Sequence, residues 1–285
     1  MYSARITRLN PTAFIILIDQ SGSMEERVLF NATRMTKADS VALVTNRLIS
    51  ELILRSCRED GVRDYFDIAV IGYCGDRATS LLGEKGQFVR PSQLVQMDCP
   101  KRKITRERIL PGGESVITTL EQKYWISPQA GGSTPMYAAL LSAYDLAGRW
   151  CRRAHNRHSY PLTIFNITDG EASDGDPEQL QEIAEKIRAL RTDDGNVLLL
   201  NIHISSHEGT SPVIFPASPE ELPQDRYARL LYDMSSTMPA AYNETIFQIR
   251  DNPTDPPFRG MSYNTSITDL IAMMNIGSLS VNLIQ

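Results

Sequence analysis

Short apolar runs recur along this chain, and most are followed by stretches in which apolar residues return every three or four positions. Phe14–Ile18 (FIILI) is continuous and too short for a helix, so it reads as a strand buried on both faces. Lys37–Cys57 then places Val41, Val44, Leu48 and Leu52 on one helical stripe. Phe66–Tyr73 (FDIAVIGY), Leu162–Thr168 (LTIFNIT) and Asn196–Ile204 (NVLLLNIHI) repeat the strand pattern. Pro177–Arg191 is a charged helix that turns Leu180, Ile183, Ala184, Ile187 and Leu190 toward a core. In Gly131–Tyr137 (GGSTPMY), Ser or Thr as N-cap with Pro135 at the first helical position predicts a helix running to about Arg153. Shorter helices are expected near Arg226–Met234 and Ser266–Met274. Strand and helix in alternation predict an α/β fold with a largely parallel sheet.

Two segments break the rhythm. Residues 76–130 read as an edge strand or hairpin decorated by an insertion, with Ser115–Leu120 (SVITTL) as the best strand candidate. Residues 205–226 carry Pro212, Pro216, Pro219 and Pro223, which deny ladder hydrogen bonds and exclude a central strand. With no internal repeat and no clear linker, residues 1–285 read as a single domain.

Composition narrows the function classes. Of 285 residues 42% are apolar, enough for a substantial core, and the net charge of −5 disfavours an electrostatic nucleic-acid binder. The basic run Lys101–Arg108 (KRKITRER) reads first as a solvated hairpin or loop, and second as a dock for an acidic partner. No stretch approaches the roughly 18 apolar residues of a membrane helix, and Phe14–Ile18 is too short for a signal core. The four isolated cysteines suit reduced thiols. A cytoplasmic protein without membrane or nucleic-acid partners is expected.

Candidate chemistry lies where strands end, the place where parallel α/β sheets bind ligands. Asp19-Gln20-Ser21-Gly22-Ser23 follows the first strand, Ser133-Thr134-Pro135 precedes a helix, and Asp169-Gly170-Glu171 follows the Leu162–Thr168 strand. Singly, each is most often structural: a serine there is a cap, and Asp-Gly is a turn. Together Asp19, Ser21, Ser23, Thr134 and Asp169 offer two carboxylates and three hydroxyls, a hard-oxygen set suited to Mg²⁺. Gly22 lets both serines aim at one point. No histidine or cysteine accompanies them, which argues against zinc.

Asp-x-Ser-x-Ser at 19–23, Thr134 in GGSTPM and Asp169 in ITDGE resemble the five-residue metal-ion-dependent adhesion site of von Willebrand factor type A (vWA) domains. The order of motifs extends the resemblance over nearly the whole chain. It implies a Rossmann-like three-layer α/β/α sandwich, mostly parallel with one antiparallel edge strand. It also implies that Ser21, Ser23 and Thr134 coordinate Mg²⁺, with Mn²⁺ or Ca²⁺ as substitutes, while Asp19 and Asp169 often act through water. An open metal position would then take a Glu or Asp carboxylate from a partner protein. Similar intracellular bacterial proteins work beside kinases, phosphatases or AAA+ ATPases, so an adaptor in a signalling or stress-response complex is implied. Glu171 reads as a rim residue, and the 76–130 and 205–226 segments are expected to rim the metal face.

Other sites fit poorly. An EF-hand over residues 169–180 has Asp174 where glycine belongs and Leu180 where glutamate belongs. His203 and His207 fall at a strand end rather than on a helix, and His155 and His158 read as loop residues. Ser21 lacks the flanking glycines of a nucleophile elbow. A metal-dependent phosphatase-like hydrolase using Asp19, and a scaffold whose metal site does not function, stay as alternatives to a non-enzymatic binding module.

Overall fold

The computed structural model describes residues 2–30, 33–109, 115–204, 212–250 and 254–277. Among them, seven strands form the central sheet: β1 (Thr12–Asp19), β2 (Phe66–Cys74), β3 (Arg77–Ser80), β4 (Thr163–Thr168), β5 (Leu198–Ile204), β6 (Val213–Ile214) and β7 (Met261–Thr265). Their spatial order is β6-β7-β5-β4-β1-β2-β3. The pairs β1–β2, β1–β4, β4–β5 and β5–β7 are parallel. Both edges are antiparallel, β3 on β2 and β6 on β7. The second antiparallel edge, only two residues long, departs from the expected single one; it follows Pro212 directly, where proline tolerates an edge but not a central strand.

Helices complete the layers: α1 (Lys37–Ser56), α2 (Pro91–Gln96), α3 (Met136–Cys151), α4 (Pro177–Ala189), α5 (Arg226–Met234), α6 (Asn243–Ile249) and α7 (Ile267–Gly277). The run Ala13–Ile18 shows why the sheet is covered twice. Phe14, Ile16 and Ile18 join a core with α1 and α7, while Ala13, Ile15 and Leu17 join a second core with α3, α4 and α5. A strand alternates its side chains between faces, so an unbroken apolar run needs helices on both. The result is a three-layer α/β/α sandwich.

Most expected boundaries match within two or three residues. One differs in kind: Pro135 is the N-cap of α3, with φ −78° and ψ 64°, and Met136 is its first residue. Pro135 brings no side-chain cap, and the Ser133 hydroxyl donates to Gly75 O at 2.6 Å instead. The first-turn amides of Tyr137 and Ala138 donate to the Asp174 carboxylate, both at 2.9 Å. Proline could leave the first helical turn because the cap arrives from another loop.

Residues 76–130 contain β3, α2 and a hairpin of Lys101–Ile109 paired with Ser115–Lys123. The basic run therefore lies on a hairpin strand; Lys101, Arg102 and Lys103 are exposed, with the Arg102 guanidinium 3.9 Å over the Tyr124 ring. The segment SVITTL is a strand, but of this hairpin rather than of the central sheet. A second small hairpin, Arg27–Phe30 with Thr33–Thr36, separates the β1 loop from α1. Among the described residues no helix is long and apolar enough to cross a membrane.

Candidate metal site at the sheet's carboxyl edge

The chain leaves β1 toward β2 on one side of the sheet and later returns to β4 on the other, so β1 and β4 flank a topological switch point. Asp19 ends β1 and Asp169 directly follows β4. The loops beyond them are fastened to each other by backbone bonds. Gly22 N–H donates to Gly132 O at 3.0 Å, and Gly131 N–H to Gln20 O at 2.8 Å. Ser173 N–H donates to Thr134 O at 2.9 Å, and Gly75 N–H to Ser133 O at 3.1 Å. Thus three motifs far apart in the chain meet at one point. Gly132 sits at φ +78°, and a Cβ there would lie 2.9 Å from Gly75 N, so only glycine lets these backbones close.

Asp19, Ser21, Ser23 and Asp169 form one hydrogen-bonded run, and Thr134, 8% exposed, is on the loop whose backbone is bonded to the Gln20–Gly22 turn and to Ser173. Asp19 accepts from Ser21 N–H at 2.9 Å and from the Thr168 hydroxyl at 2.9 Å. The Ser21 and Ser23 hydroxyls are 3.1 Å apart, and Ser23 donates to Asp169 at 2.6 Å. Depth varies along this run: Asp19 has no exposure, Ser21 is buried, Ser23 is open to solvent, and the Asp169 side chain beyond it is buried. Burial pushes the Asp19 carboxyl up to about 6, opposed by its bonds to Ser21 and reinforced by the charge of Asp169.

The donor set fits a small hard cation. All five groups are oxygens, and an octahedral ion with bonds near 2.1 Å places adjacent ligands about 3 Å apart, matching the Ser21–Ser23 separation. Among the described residues no three His, Cys, Asp or Glu side chains gather as a metal site, so any ion here must draw on hydroxyls.

Several neighbours escaped sequence reasoning. Lys37, 3% exposed, donates to Asp169 at 2.9 Å and to Glu26 at 2.7 Å. It opens α1, where the helix dipole disfavours a cation, and that misplaced charge was its one signal. Tyr227, at the start of α5, donates to Gly170 O and holds the Asp169 loop from behind. Tyr73, with its phenol pushed well up by burial, donates to Asn166 Oδ1 at 3.0 Å beneath the loops. His203 stacks on Tyr263 with centroids 4.4 Å apart and accepts from Asn264 N–H at 3.2 Å; burial lowers it to about 4, so it is neutral at pH 7. His207 lies outside the described residues. The acidic stretch that fails as a calcium loop is committed elsewhere: Asp174 caps α3 and Asp176 caps α4. Glu171 is exposed. The residues that flank the 76–130 segment are fastened at the site, Gly75 by its bonds to Ser133 and Gly131 by its bond to Gln20. Much of the other expected rim, residues 205–211, lies outside the described residues.

The fold and site define a mostly parallel α/β/α protein with an oxygen-rich centre at its switch point. No family model and no curated protein matches the chain. Among solved structures it is similar to a von Willebrand factor type A protein from Catenulispora acidiphila, at 14% identity and TM-score 0.41 over 69% of this chain and 34% of that one. The vWF domain of the type V pili tip protein Mfa5 from Porphyromonas gingivalis matches at 11% identity and TM-score 0.44, over 94% of both chains. The chain spans about a third of the length of the first of these. Likenesses this distant carry no function across, and any functional reading has to stand on the site residues.

Proposed function

We propose that this chain is a non-enzymatic, divalent-cation-dependent protein-binding module of the vWA type. The observation that carries the reading is the convergence of Asp19, Ser21, Ser23, Thr134 and Asp169 at one switch point through loops locked by backbone bonds. Ser21, Ser23 and Thr134 would hold Mg²⁺ directly, and Asp19 and Asp169 would balance its charge. The bound ion supplies an electrophilic position for a Glu or Asp carboxylate of a partner protein. Ser23, open to solvent, marks the side from which that carboxylate arrives. A kinase, a phosphatase or an AAA+ ATPase in a bacterial complex is the partner class this reading favours.

Asp19 supports binding over hydrolysis. A nucleophile must reach its substrate, whereas this carboxylate has no exposure and both oxygens are engaged. One observation favours the alternative of a scaffold without a working ion site: Lys37 already sets a positive charge on Asp169.

The test is Mg²⁺ titration by calorimetry together with affinity capture of partners, using wild type, Ser23→Ala and Thr134→Val, with ion and with chelator. The reading expects saturable Mg²⁺ binding in wild type and its loss in both variants, with unchanged circular dichroism. It expects partner capture to disappear in step. Capture indifferent to both variants and to chelator would sink the metal bridge, and Asp19-dependent phosphoester turnover would replace it with the hydrolase.

A further inference from the structure

Resting on that reading, we infer that Lys37 is a resident competitor for the divalent ion, and that Glu26 is the site to which its ammonium withdraws when the ion enters. Lys37 is a costly residue in this position. Its side chain is 4% exposed, it opens a helix whose dipole repels it, and a lysine so deeply buried is rare without paired anions. Two carboxylates offset that cost, and they differ in setting. The Asp169 side chain is fully buried and belongs to the proposed ion-binding set, whereas the Glu26 side chain is 55% exposed and lies outside it.

In the described state both Asp169 oxygens are engaged: Ser23 holds one at 2.6 Å and Lys37 the other at 2.9 Å. A divalent ion seated on Ser21 and Ser23 would bring two positive charges beside an ammonium in a site of reduced dielectric. The repulsion at such spacing is large enough to decide occupancy. Glu26 offers the nearby relief. It is tied to Lys37 twice, through the ammonium at 2.7 Å and through Lys37 N–H to Glu26 O at 2.9 Å, so the ammonium can leave Asp169 without losing its partner. The Arg27–Phe30/Thr33–Thr36 hairpin is closed at its base by the same two residues.

Charge signs then give opposite effects for two neighbouring residues. Lys37→Met, or Lys37→Gln if the methionine variant folds poorly, should bind Mg²⁺ about tenfold tighter than wild type in calorimetry. Glu26→Gln, a half-exposed change that leaves the core untouched, should bind it about threefold more weakly. In the double variant the Glu26 effect should largely vanish, because Glu26 acts by receiving the lysine. Metal-free melting supplies a second readout: Lys37→Met should melt lower than wild type in chelator and gain more on adding Mg²⁺. If wild type binds Mg²⁺ and Ser23→Ala does not, yet Lys37→Met binds no tighter, the competitor role is wrong and the binding module survives. An undiminished Glu26→Gln effect in the Lys37→Met background would also overturn it, since Glu26 would then act on the ion directly. If none of the proteins binds Mg²⁺, both readings fall together.

Discussion

Replacing Asp19 by asparagine should stabilise the metal-free protein at neutral pH while removing its response to Mg²⁺. Asp19 is fully buried, and its carboxyl titrates near 6 rather than at the ordinary value of 3.8. Below about pH 4 the group is protonated in both folded and unfolded chains and contributes nothing. Between about pH 4 and 6 the unfolded chain ionises while the folded one holds its proton, so stability falls as pH rises. Above 6 both are charged and the loss is complete. Moving a carboxyl from 3.8 to about 6 corresponds to about 3 kcal/mol of destabilisation.

Asparagine avoids that cost and suits the hydrogen bonds present. Its carbonyl oxygen can accept from Ser21 N–H, as Asp19 does at 2.9 Å. Its amide can donate to the Thr168 hydroxyl, whose proton can turn to Gly170 O at 2.9 Å. Allowing for weaker bonds to a neutral acceptor, a net gain of about 1–3 kcal/mol at about pH 7.5 is expected, worth at most roughly 2 °C in Tm per kcal/mol for a chain of this length. The assay is urea and thermal unfolding of both proteins in chelator, from about pH 4 to 8. The gain should shrink toward zero at the acid end of that range. With Mg²⁺ at about a hundred times its Kd the wild type should recover about 2.7 kcal/mol and the variant nothing, bringing the two level or reversing their order. An Asp19→Asn protein less stable than wild type above neutrality in chelator, or a difference flat with pH, would refute the claim that burial of this charge is what costs stability.

Three further substitutions test the scaffold. Asp174→Ala removes both acceptors from the start of α3 and should lower unfolding free energy by about 1–2 kcal/mol in urea titration. Asn46→Leu keeps the branched four-atom shape, with bulkier methyls, but strands Ile126, whose N–H donates to Asn46 at 3.0 Å and whose carbonyl accepts from it at 2.8 Å; a loss of about 2–4 kcal/mol is expected by the same measurement. Gly132→Ala forces a side chain onto φ +78° and against Gly75 N. It should weaken Mg²⁺ binding in calorimetry by about tenfold or more while far-ultraviolet circular dichroism stays native.

The sheet core was legible because its strands are buried on both faces, which leaves runs such as FIILI and LLLNIHI that cannot be amphipathic helices of useful length. Strand β7 was not, since MSYNT mixes polar with apolar residues: Ser262 and Thr265, both buried, hydrogen-bond to each other, so polarity in sequence did not mean exposure. Helix α6 and the Arg27–Phe30/Thr33–Thr36 hairpin are short, so no local periodicity marks them. The five candidate ligands were legible because they sit at strand and helix ends in a recognisable spacing. Asp174 and Lys37 were not: nothing local marks a cap that serves a helix 37 residues away, and the one signal at Lys37, a cation at a helix start, does not point to a partner 132 residues on.

The site's rigidity also says where ion binding must act. Gln20 N–H is bonded to Tyr73 O, Gly22 to Gly132, Gly131 to Gln20 and Ser173 to Thr134, so the backbone around the candidate ion is bonded from strand to loop to loop. Asp19 is held from two sides and has no room to move. The groups able to respond are the exposed Ser23 hydroxyl, the Lys37 ammonium and the half-exposed Glu26 carboxylate. On the proposed reading, an ion entering here would act through side-chain exchange, with Ser23 turning from Asp169 and Lys37 keeping only Glu26. The hairpin that Lys37 and Glu26 close at its base is the element a larger response on this reading would reach first.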